Sequence, residues 1–222
     1  MNVSFKRTVF AGFLYSLLGF TSSAVAQDQI VVATSSLKEV ADGAEVRITV
    51  SYDVTGGALT TGIGLRMHFD SSKLSAGAIA DELTVDNIGI QIRDDADDYD
   101  NDASTDKYII ASWASFSGAW PSNTDLPATL YTVPFTAQAG FSDTSLNFTA
   151  SSVAEGYTFF SESVLLSADT DSDGVIDELD AFPFDPTETI DTDSDGIGNN
   201  TDDDDDGDGV EDTADAFPLD AT

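Results

Sequence analysis

The sequence predicts an all-β fold: a β-sandwich or jelly roll over residues 28–166, followed by an extended segment with little regular secondary structure over residues 167–222. Three observations lead to this prediction. Short runs that alternate apolar and polar residues recur through the first region. Clusters of Gly, Asn, Asp and Ser separate these runs, and no segment sustains a helical period. After Ser167 the apolar runs stop, and a D-x-D-x-D-G pattern repeats instead.

The alternating runs predict which side chains face the core. Successive residues of a strand point to opposite faces, so alternate apolar residues share the buried face. The predicted inward sets are Val46, Ile48, Val50, Tyr52 and Val54; Ile63, Leu65, Met67 and Phe69; Ile88, Ile90 and Ile92; Tyr131, Val133, Phe135 and Ala137; and Leu146, Phe148 and Ala150. Tyr108–Phe116 is apolar on both faces, which is typical of a central strand. About eight or nine short strands would make one all-β domain.

The N-terminal segment Met1–Ala26 has the three parts of a secretory signal peptide. Lys6 and Arg7 give a basic start, an apolar run extends from Thr8 to Phe20, and Ala24-Val25-Ala26 supplies a small-residue cleavage site. An apolar run of this length is too short to span a bilayer of about 30 Å. No later stretch has enough apolar residues to span a membrane. We therefore expect cleavage after Ala26 and a protein that is secreted or displayed on the cell surface.

The composition excludes several functions. The chain has 41 Asp plus Glu against 8 Lys plus Arg, a formal net charge of −33. Such a chain repels nucleic acids and anionic lipids. With one His and no Cys, it cannot build the usual zinc sites, a cysteine nucleophile or a disulfide. Residues 167–222 contain 18 Asp and 3 Glu but no Lys or Arg, so they carry −21 of this charge.

The acidic segment is a repeat. DTDSDGVIDELDAFPFDPT, Asp169–Thr187, returns in the same register as DDDGDGVEDTADAFPLDAT, Asp204–Thr222, and DTDSDGIGNNTD, Asp191–Asp202, lies between them. Ca²⁺ takes six to eight oxygen ligands, which a short loop supplies by winding around the ion. Acids at alternate positions point inward, and a Gly at the sixth position allows the sharp turn. The pattern therefore predicts three calcium-binding loops.

The register assigns ligands within each twelve-residue loop. Positions one, three, five and twelve offer side-chain oxygens, position seven its backbone carbonyl, and position nine a side chain that binds directly or through water. For the first loop these residues are Asp169, Asp171, Asp173, Val175, Asp177 and Asp180. For the second they are Asp191, Asp193, Asp195, Ile197, Asn199 and Asp202. For the third they are Asp204, Asp206, Asp208, Val210, Asp212 and Asp215.

The closing residue of each loop is Asp rather than the Glu of an EF-hand, and Pro183, Pro186 and Pro218 oppose flanking helices. Over residues 169–222 the sequence resembles the thrombospondin type 3 repeat in its cysteine-free bacterial form. The resemblance implies an extended chain wrapped around a string of calcium ions, with Phe182-Pro183 and Phe217-Pro218 as small apolar staples. The alternative is a disordered acidic tail, and both states are expected at different calcium levels.

The first region resembles a cohesin-type domain, which is related to certain carbohydrate-binding modules. The segments that carry the resemblance are DGAEVRITVSYDV, GIGLRMHFDSSKL and LPATLYTVPFTAQAGFSDTSLNFTASSVAEG. The resemblance implies a sandwich with a binding role and leaves its ligand open, since such folds host many functions.

Three further features of the first region have competing interpretations. The loop Asp94–Asp106 contains seven acids. We predict a solvated acidic loop, with a calcium site at Asp98, Asp100 and Asp102 as the alternative, because the loop lacks the Gly that wraps a cation. An aromatic platform for a sugar would use Trp113, Phe116 and Trp120. We predict that Trp113 lies in the core and that Trp120, in a turn-rich stretch, is exposed. His68 is predicted to be a surface residue on the polar face of its strand.

These features favour a secreted or surface-displayed, non-enzymatic protein that binds calcium. Its sandwich would bind a carbohydrate, a matrix component or a surface protein, and its repeats would form a spacer or stalk. The alternative is an accessory carbohydrate-binding module or part of an extracellular hydrolase, but G-x-S-x-G and H-E-x-x-H motifs are missing. Exposed Trp120 would favour a sugar ligand, and an exposed aliphatic patch a protein. Because Thr222 aligns with Thr187 in mid-repeat, we also expect a fragment of a longer protein with further repeats.

Overall fold

A computed structural model describes residues 27–122 and 124–222. The predicted signal peptide lies outside the described residues. Twelve strands form two six-stranded sheets, and the described part of the chain contains a single helical element, a 3₁₀ turn at Thr55–Gly57. None of its helical structure is long or apolar enough to cross a membrane. The all-β prediction is confirmed.

The strands follow one another with short connections, apart from the acidic loop between the seventh and the eighth and the connection between the eighth and the ninth. They are β1 (Gln27–Ser35), β2 (Glu39–Val40), β3 (Glu45–Val54), β4 (Gly62–Phe69), β5 (Leu74–Ala76), β6 (Ala80–Asp81), β7 (Asn87–Asp94), β8 (Lys107–Ala114), β9 (Ala128–Ala137), β10 (Thr144–Ser152), β11 (Tyr157–Ser161) and β12 (Val164–Ala168).

The strand order separates the two sheets. The first sheet runs β11-β1-β3-β9-β5, with β6 also paired to β9, and the second runs β2-β12-β10-β4-β8-β7. Most pairs are antiparallel, but β1 pairs with β11 and β12 pairs with β2 in parallel. The second sheet therefore has β2 at one edge and β7 at the other.

The two sheets pack face to face and form one hydrophobic core. Phe69 of β4 meets Phe135 of β9 with ring centroids 5.1 Å apart, and Trp113 of β8 stacks on Tyr131 of β9 at 6.5 Å. Each of these aromatic pairs joins one sheet to the other. Such pairs add about 0.5–1.5 kcal/mol beyond the area they bury. Among the described residues, the core ends at Ala168.

The predicted inward faces are confirmed for the central strands. The predicted residues of β3 and β4 are buried throughout, as are those of β9. On β7 the prediction is wrong for Ile88 and Ile92, which are 70% and 42% exposed. This strand is the edge of its sheet, so the core covers only part of it. The segment Tyr108–Phe116 gives β8, which ends at Ala114 and is half-buried on its second face.

The prediction that Trp120 is exposed is wrong, because this side chain is completely buried. Its backbone pairs with Thr60 in an isolated bridge, and its side chain belongs to the hydrophobic core. There its ring packs 4.4 Å from the ring of Tyr52 and 6.2 Å from that of Trp113. Trp113 is buried as predicted, whereas Phe116 is fully exposed.

The acidic segment begins where β12 ends, without a linker. The backbone N–H of Asp169 donates to the carbonyl of Val40 at 3.2 Å, which continues the pairing of β12 with β2. The N–H of Asp177 then returns to the carbonyl of Ala168 at 2.9 Å. The first loop is therefore attached directly to the edge of the second sheet.

Candidate calcium-binding loops

The three acidic loops adopt the same backbone conformation. The fourth and sixth positions of each have a positive φ: 69° and 98° at Ser172 and Gly174, 65° and 93° at Ser194 and Gly196, and 67° and 92° at Gly207 and Gly209. A positive φ is costly for residues with a Cβ, so Gly is favoured at the sixth position. The repeated sequence pattern thus corresponds to a repeated shape.

Each loop is closed by hydrogen bonds from its backbone to its own carboxylates. The N–H of the sixth residue donates to the first Asp: Gly174 to Asp169 at 3.2 Å, Gly196 to Asp191 at 3.1 Å, and Gly209 to Asp204 at 3.0 Å. The N–H of the seventh residue donates to the fifth Asp at 2.8 Å in all three loops. These bonds fold each chain around a small space.

The first three Asp residues of each loop converge on that space. In every loop the residues at positions one, three and five place carboxylate oxygens within 4.8 Å of one another. Many of these oxygens are buried and have no hydrogen-bond donor within the described residues. They belong to Asp171, Asp173, Asp191, Asp204 and Asp206, and to the closing residue Asp180. Buried carboxylates are rarely left without a partner, so these oxygens are candidate ligands for a cation.

In the first two loops the charge of the closing residue contributes to the pKa shift of the third-position acid. Burial raises the pKa of Asp171, and the charges of Asp173 and Asp180 raise it further, although the N–H of Asp173 opposes this. In the second loop the N–H of Asp195 lowers the pKa of Asp193, but burial and nearby charges, including Asp202, raise it overall. The first two clusters therefore hold like charges close together, and a divalent cation would relieve their repulsion.

The ninth-position side chains do not join these clusters. The carboxylate of Asp177 accepts bonds from the N–H and the hydroxyl of Thr170, both at 2.7 Å. In the second loop the Oδ1 of Asn199 accepts the N–H of Thr192 at 3.0 Å, and its Nδ2 donates to the Thr192 hydroxyl at 2.7 Å. In the third loop Asp212 accepts the N–H of Asp205 at 3.0 Å. In each loop these hydrogen bonds join the second position to the ninth.

The seventh-position carbonyls are available as ligands. In the part of the chain that the structure describes, the carbonyl oxygens of Val175, Ile197 and Val210 accept no hydrogen bond. The closing residue of the third loop, Asp215, is half-buried, and it caps the following turn through a 2.9 Å bond from the N–H of Phe217. The structure therefore offers three converging side chains and one carbonyl as candidate ligands in each loop, and the closing residue is a fourth side-chain candidate from its place in the sequence pattern.

The prediction that His68 is a surface residue is wrong, because its side chain is completely buried. The acidic loop between β7 and β8 covers its face of the sheet. Its Nδ1 lies 2.6 Å from Asp95 and 3.8 Å from Asp100, and its Nε2 lies 2.7 Å from the hydroxyl of Thr149. This polar cluster holds the loop down on the sheet.

The loop Asp94–Asp106 is partly docked rather than wholly solvated. Asn147 donates to Asp100 and to Asp102, both at 3.0 Å, and Thr105 donates to Asp100 at 3.0 Å. Asp98 is exposed, and the structure does not gather it with Asp100 and Asp102. The oxygens of Asp100 are thus occupied by donors from the protein.

No family model matches the chain, and no curated protein matches it. Among solved structures, CaCohA2 from Clostridium acetobutylicum is 14% identical with a TM-score of 0.43, over 65% of this chain and 94% of that one. A non-cellulosomal cohesin from Archaeoglobus fulgidus is 11% identical with a TM-score of 0.40, over 66% and 94% of the two chains. A type II cohesin domain from the cellulosome of Acetivibrio cellulolyticus is 10% identical with a TM-score of 0.40, over 63% and 95%. These similarities are weak, and the strand pairing itself establishes the fold.

The predicted apolar staples of the acidic segment are only partly covered. Phe182 is half-buried, whereas Phe217 is 66% exposed and Phe184 is 83% exposed. What the two copies share is a turn: the N–H of Asp185 donates to the carbonyl of Phe182, and that of Asp220 to Phe217, both at 2.9 Å. The segment is therefore held by hydrogen bonds more than by apolar packing.

Proposed function

We propose that this protein is a secreted or cell-surface, non-enzymatic binding protein with a sandwich as its recognition domain and a calcium-binding stalk. One observation carries the calcium assignment: three loops with the same backbone each gather carboxylate oxygens, many of them buried and without donors. Oxygen ligands of this kind and number suit Ca²⁺, which is abundant outside cells.

Each loop would hold one ion through its first, third, fifth and twelfth side chains and its seventh carbonyl. Bound Ca²⁺ would stabilise the folded loop, because the unfolded chain offers no preformed site and binding favours the folded state. Since the segment carries −21 and, in the described part of the chain, none of its residues after Ala168 belongs to the hydrophobic core, ions supply the stabilisation that a core supplies elsewhere. Three successive loops loaded in this way would form a stiff spacer.

The sandwich is proposed to bind a protein rather than a sugar. The sugar hypothesis rested on an exposed Trp120, and this side chain is buried. Exposed aliphatic side chains are present instead at the edge of the second sheet, at Val85, Ile88 and Ile92. Of these, Ile88 lies beside Tyr108 and Ile110, which are half-buried on the outer face of β8, whereas Ile92 pairs with the buried Ile109 and lies on the other face. A mixed apolar surface of this kind favours a protein ligand.

The variant Asp195→Ala tests the calcium assignment. It removes the fifth-position ligand of the second loop, so we expect the purified protein to bind one calcium ion fewer than the parent, measured by native mass spectrometry in a calcium titration. The melting transition of the sandwich should not change, because Asp195 lies outside its core. Asp203→Ala is the matched control, since Asp203 is an exposed acid between loops. An unchanged ion count in Asp195→Ala would contradict the assignment.

A further inference from the structure

The third-position Asp of each loop has one oxygen that is held by the loop and one that is left for an ion. Its Oδ1 accepts the N–H of the fifth residue, at 3.3 Å in the first loop, 3.0 Å in the second and 3.1 Å in the third. The other oxygen, Oδ2, is buried without a donor in the described residues at Asp171 and Asp206. Because Asp193 repeats the Oδ1 bond, its Oδ2 is the oxygen that the second loop offers to an ion.

This oxygen of the second loop lies against the third loop. A Cβ added to Gly207 would be 2.6 Å from Oδ2 of Asp193 and 3.2 Å from its Cβ. A Cβ does not approach other atoms within 3.0 Å in folded proteins. Any residue other than Gly at position 207 would therefore move the carboxylate of Asp193.

The backbone conformation does not by itself require Gly at this place. Gly207 occupies the fourth position of its loop with a φ of 67°. Ser172 and Ser194 occupy the same position in the other two loops, with φ of 69° and 65°. Both Ser residues are exposed, whereas the space beside Gly207 is filled by Asp193. The neighbouring loop, and not the turn, explains the Gly.

A hydrogen bond makes a second contact between these two loops. The Oδ1 of Asp202, which closes the second loop, accepts the N–H of Asp204, which begins the third, at 3.0 Å. Only Asp203 separates the two loops in the sequence, whereas residues 181–190 separate the first loop from the second. Two predicted ligands of the second loop, Asp193 and Asp202, thus contact the third loop.

We propose that the third loop completes the second calcium site and that Gly207 is a positioning residue of that site. This proposal rests on the proposed function, because it takes the ion of the second loop to be Ca²⁺. The backbone at Gly207 limits how the carboxylate of Asp193 can turn, and the N–H of Asp204 orients the carboxylate of Asp202. The second loop therefore binds its ion with ligands that its neighbour holds in place.

The substitution Gly207→Ser tests this role, because it gives the third loop the residue that the other two loops have at this position. The amide resonances of Gly174, Gly196 and Gly209 report on the three loops separately, since each N–H donates to the first Asp of its own loop. Loss of a group that orients metal ligands typically weakens binding by about 10–100-fold. In a calcium titration of the whole isotope-labelled protein, we expect the midpoint for Gly196 to rise by about this factor. The midpoint for Gly174 should not change, and that for Gly209 should rise less than that for Gly196.

Two further variants serve as controls. Ser194→Gly makes the reverse exchange at the same position of the second loop, where the residue is exposed, so the midpoint for Gly196 should stay at its parental value. Asp193→Ala, with and without Gly207→Ser, shows whether the third loop itself tolerates the Ser. Because the carboxylate of Asp193 is then absent, the midpoint for Gly209 should be the same in both.

The outcomes separate this proposal from the calcium assignment of the loops. A parental midpoint for Gly196 in Gly207→Ser would overturn the positioning role. A rise for Gly209 as large as that for Gly196 would also overturn it, because Gly207 would then serve its own loop. A change for Gly209 when Ser is added to Asp193→Ala would have the same meaning. If none of the three resonances responds to calcium in the parent, the proposed function itself is wrong.

Discussion

Chelation of calcium is expected to expand the acidic segment while the sandwich stays folded. Without cations, 18 Asp and 3 Glu repel one another along residues 167–222, and no basic side chain offsets them. The segment has no hydrophobic core to resist this repulsion, because the core ends at Ala168 in the described part of the chain. We therefore expect the loops to open together when the ions leave.

Size-exclusion chromatography with light scattering and limited proteolysis measure this change. The hydrodynamic radius should rise in chelator, and cleavage should appear after residue 169 but not within residues 27–168. A matched sample in 1 M NaCl separates screening from binding, since at that ionic strength the Debye length is about 3 Å. Salt should reduce the expansion without restoring protection from protease. An identical radius and digestion pattern with and without chelator would contradict the stalk.

The substitution His68→Leu is expected to destabilise the sandwich by about 3–5 kcal/mol, because it leaves a buried carboxylate without its partner. Asp95 is 8% exposed, and its Oδ2 lies 2.6 Å from Nδ1 of His68. Asp100 lies 3.8 Å from the same nitrogen and would also lose its contact with His68. Such a loss is a large part of the total stability of a typical domain, about 5–15 kcal/mol.

Denaturant unfolding, followed by tryptophan fluorescence, measures this free energy. Lys107→Met is the control, because Lys107 pairs at 2.6 Å with Asp94, whose side chain is 83% exposed. Exposed pairs contribute about 0–1 kcal/mol. The double variant His68→Leu, Asp95→Leu should recover much of the loss, since it removes both partners of the buried pair. A cost for His68→Leu no greater than that for Lys107→Met would show that the cluster is not a structural tie.

Local periodicity was sufficient to predict the central strands of the sandwich. Apolar and polar residues alternate along β3 from Val46 to Val54, and this alternation corresponds to one buried face of the strand. The three acidic loops were equally accessible to sequence reasoning, because their spacing is local to each loop. The clustering of positions one, three and five follows from that spacing. The hydrogen bonds between the second and ninth positions do not follow from that spacing.

The failures concern residues whose surroundings come from distant parts of the chain. His68 has the position of an outward-facing residue, but the loop that follows β7 covers it through Asp95. Trp120 lies in a turn-rich stretch, yet its backbone pairs with Thr60 and its side chain is part of the core. Gly207 resembles a simple variant of the Ser in the other two loops, and only the folded loops place Asp193 against it. These are tertiary effects that single-sequence patterns do not contain.

The direct attachment of the first loop to β12 determines how the sandwich responds to mechanical tension. A pull on the C-terminal end enters the sandwich through β12, which pairs in parallel with β2 and antiparallel with β10. A pull that acts along β12 loads these hydrogen bonds in shear, so that several resist at once instead of breaking one at a time. The N–H of Asp169, bonded to Val40, adds one more bond to resist the shear. A filled first loop would thus extend the region that bears force from the sheet into the stalk.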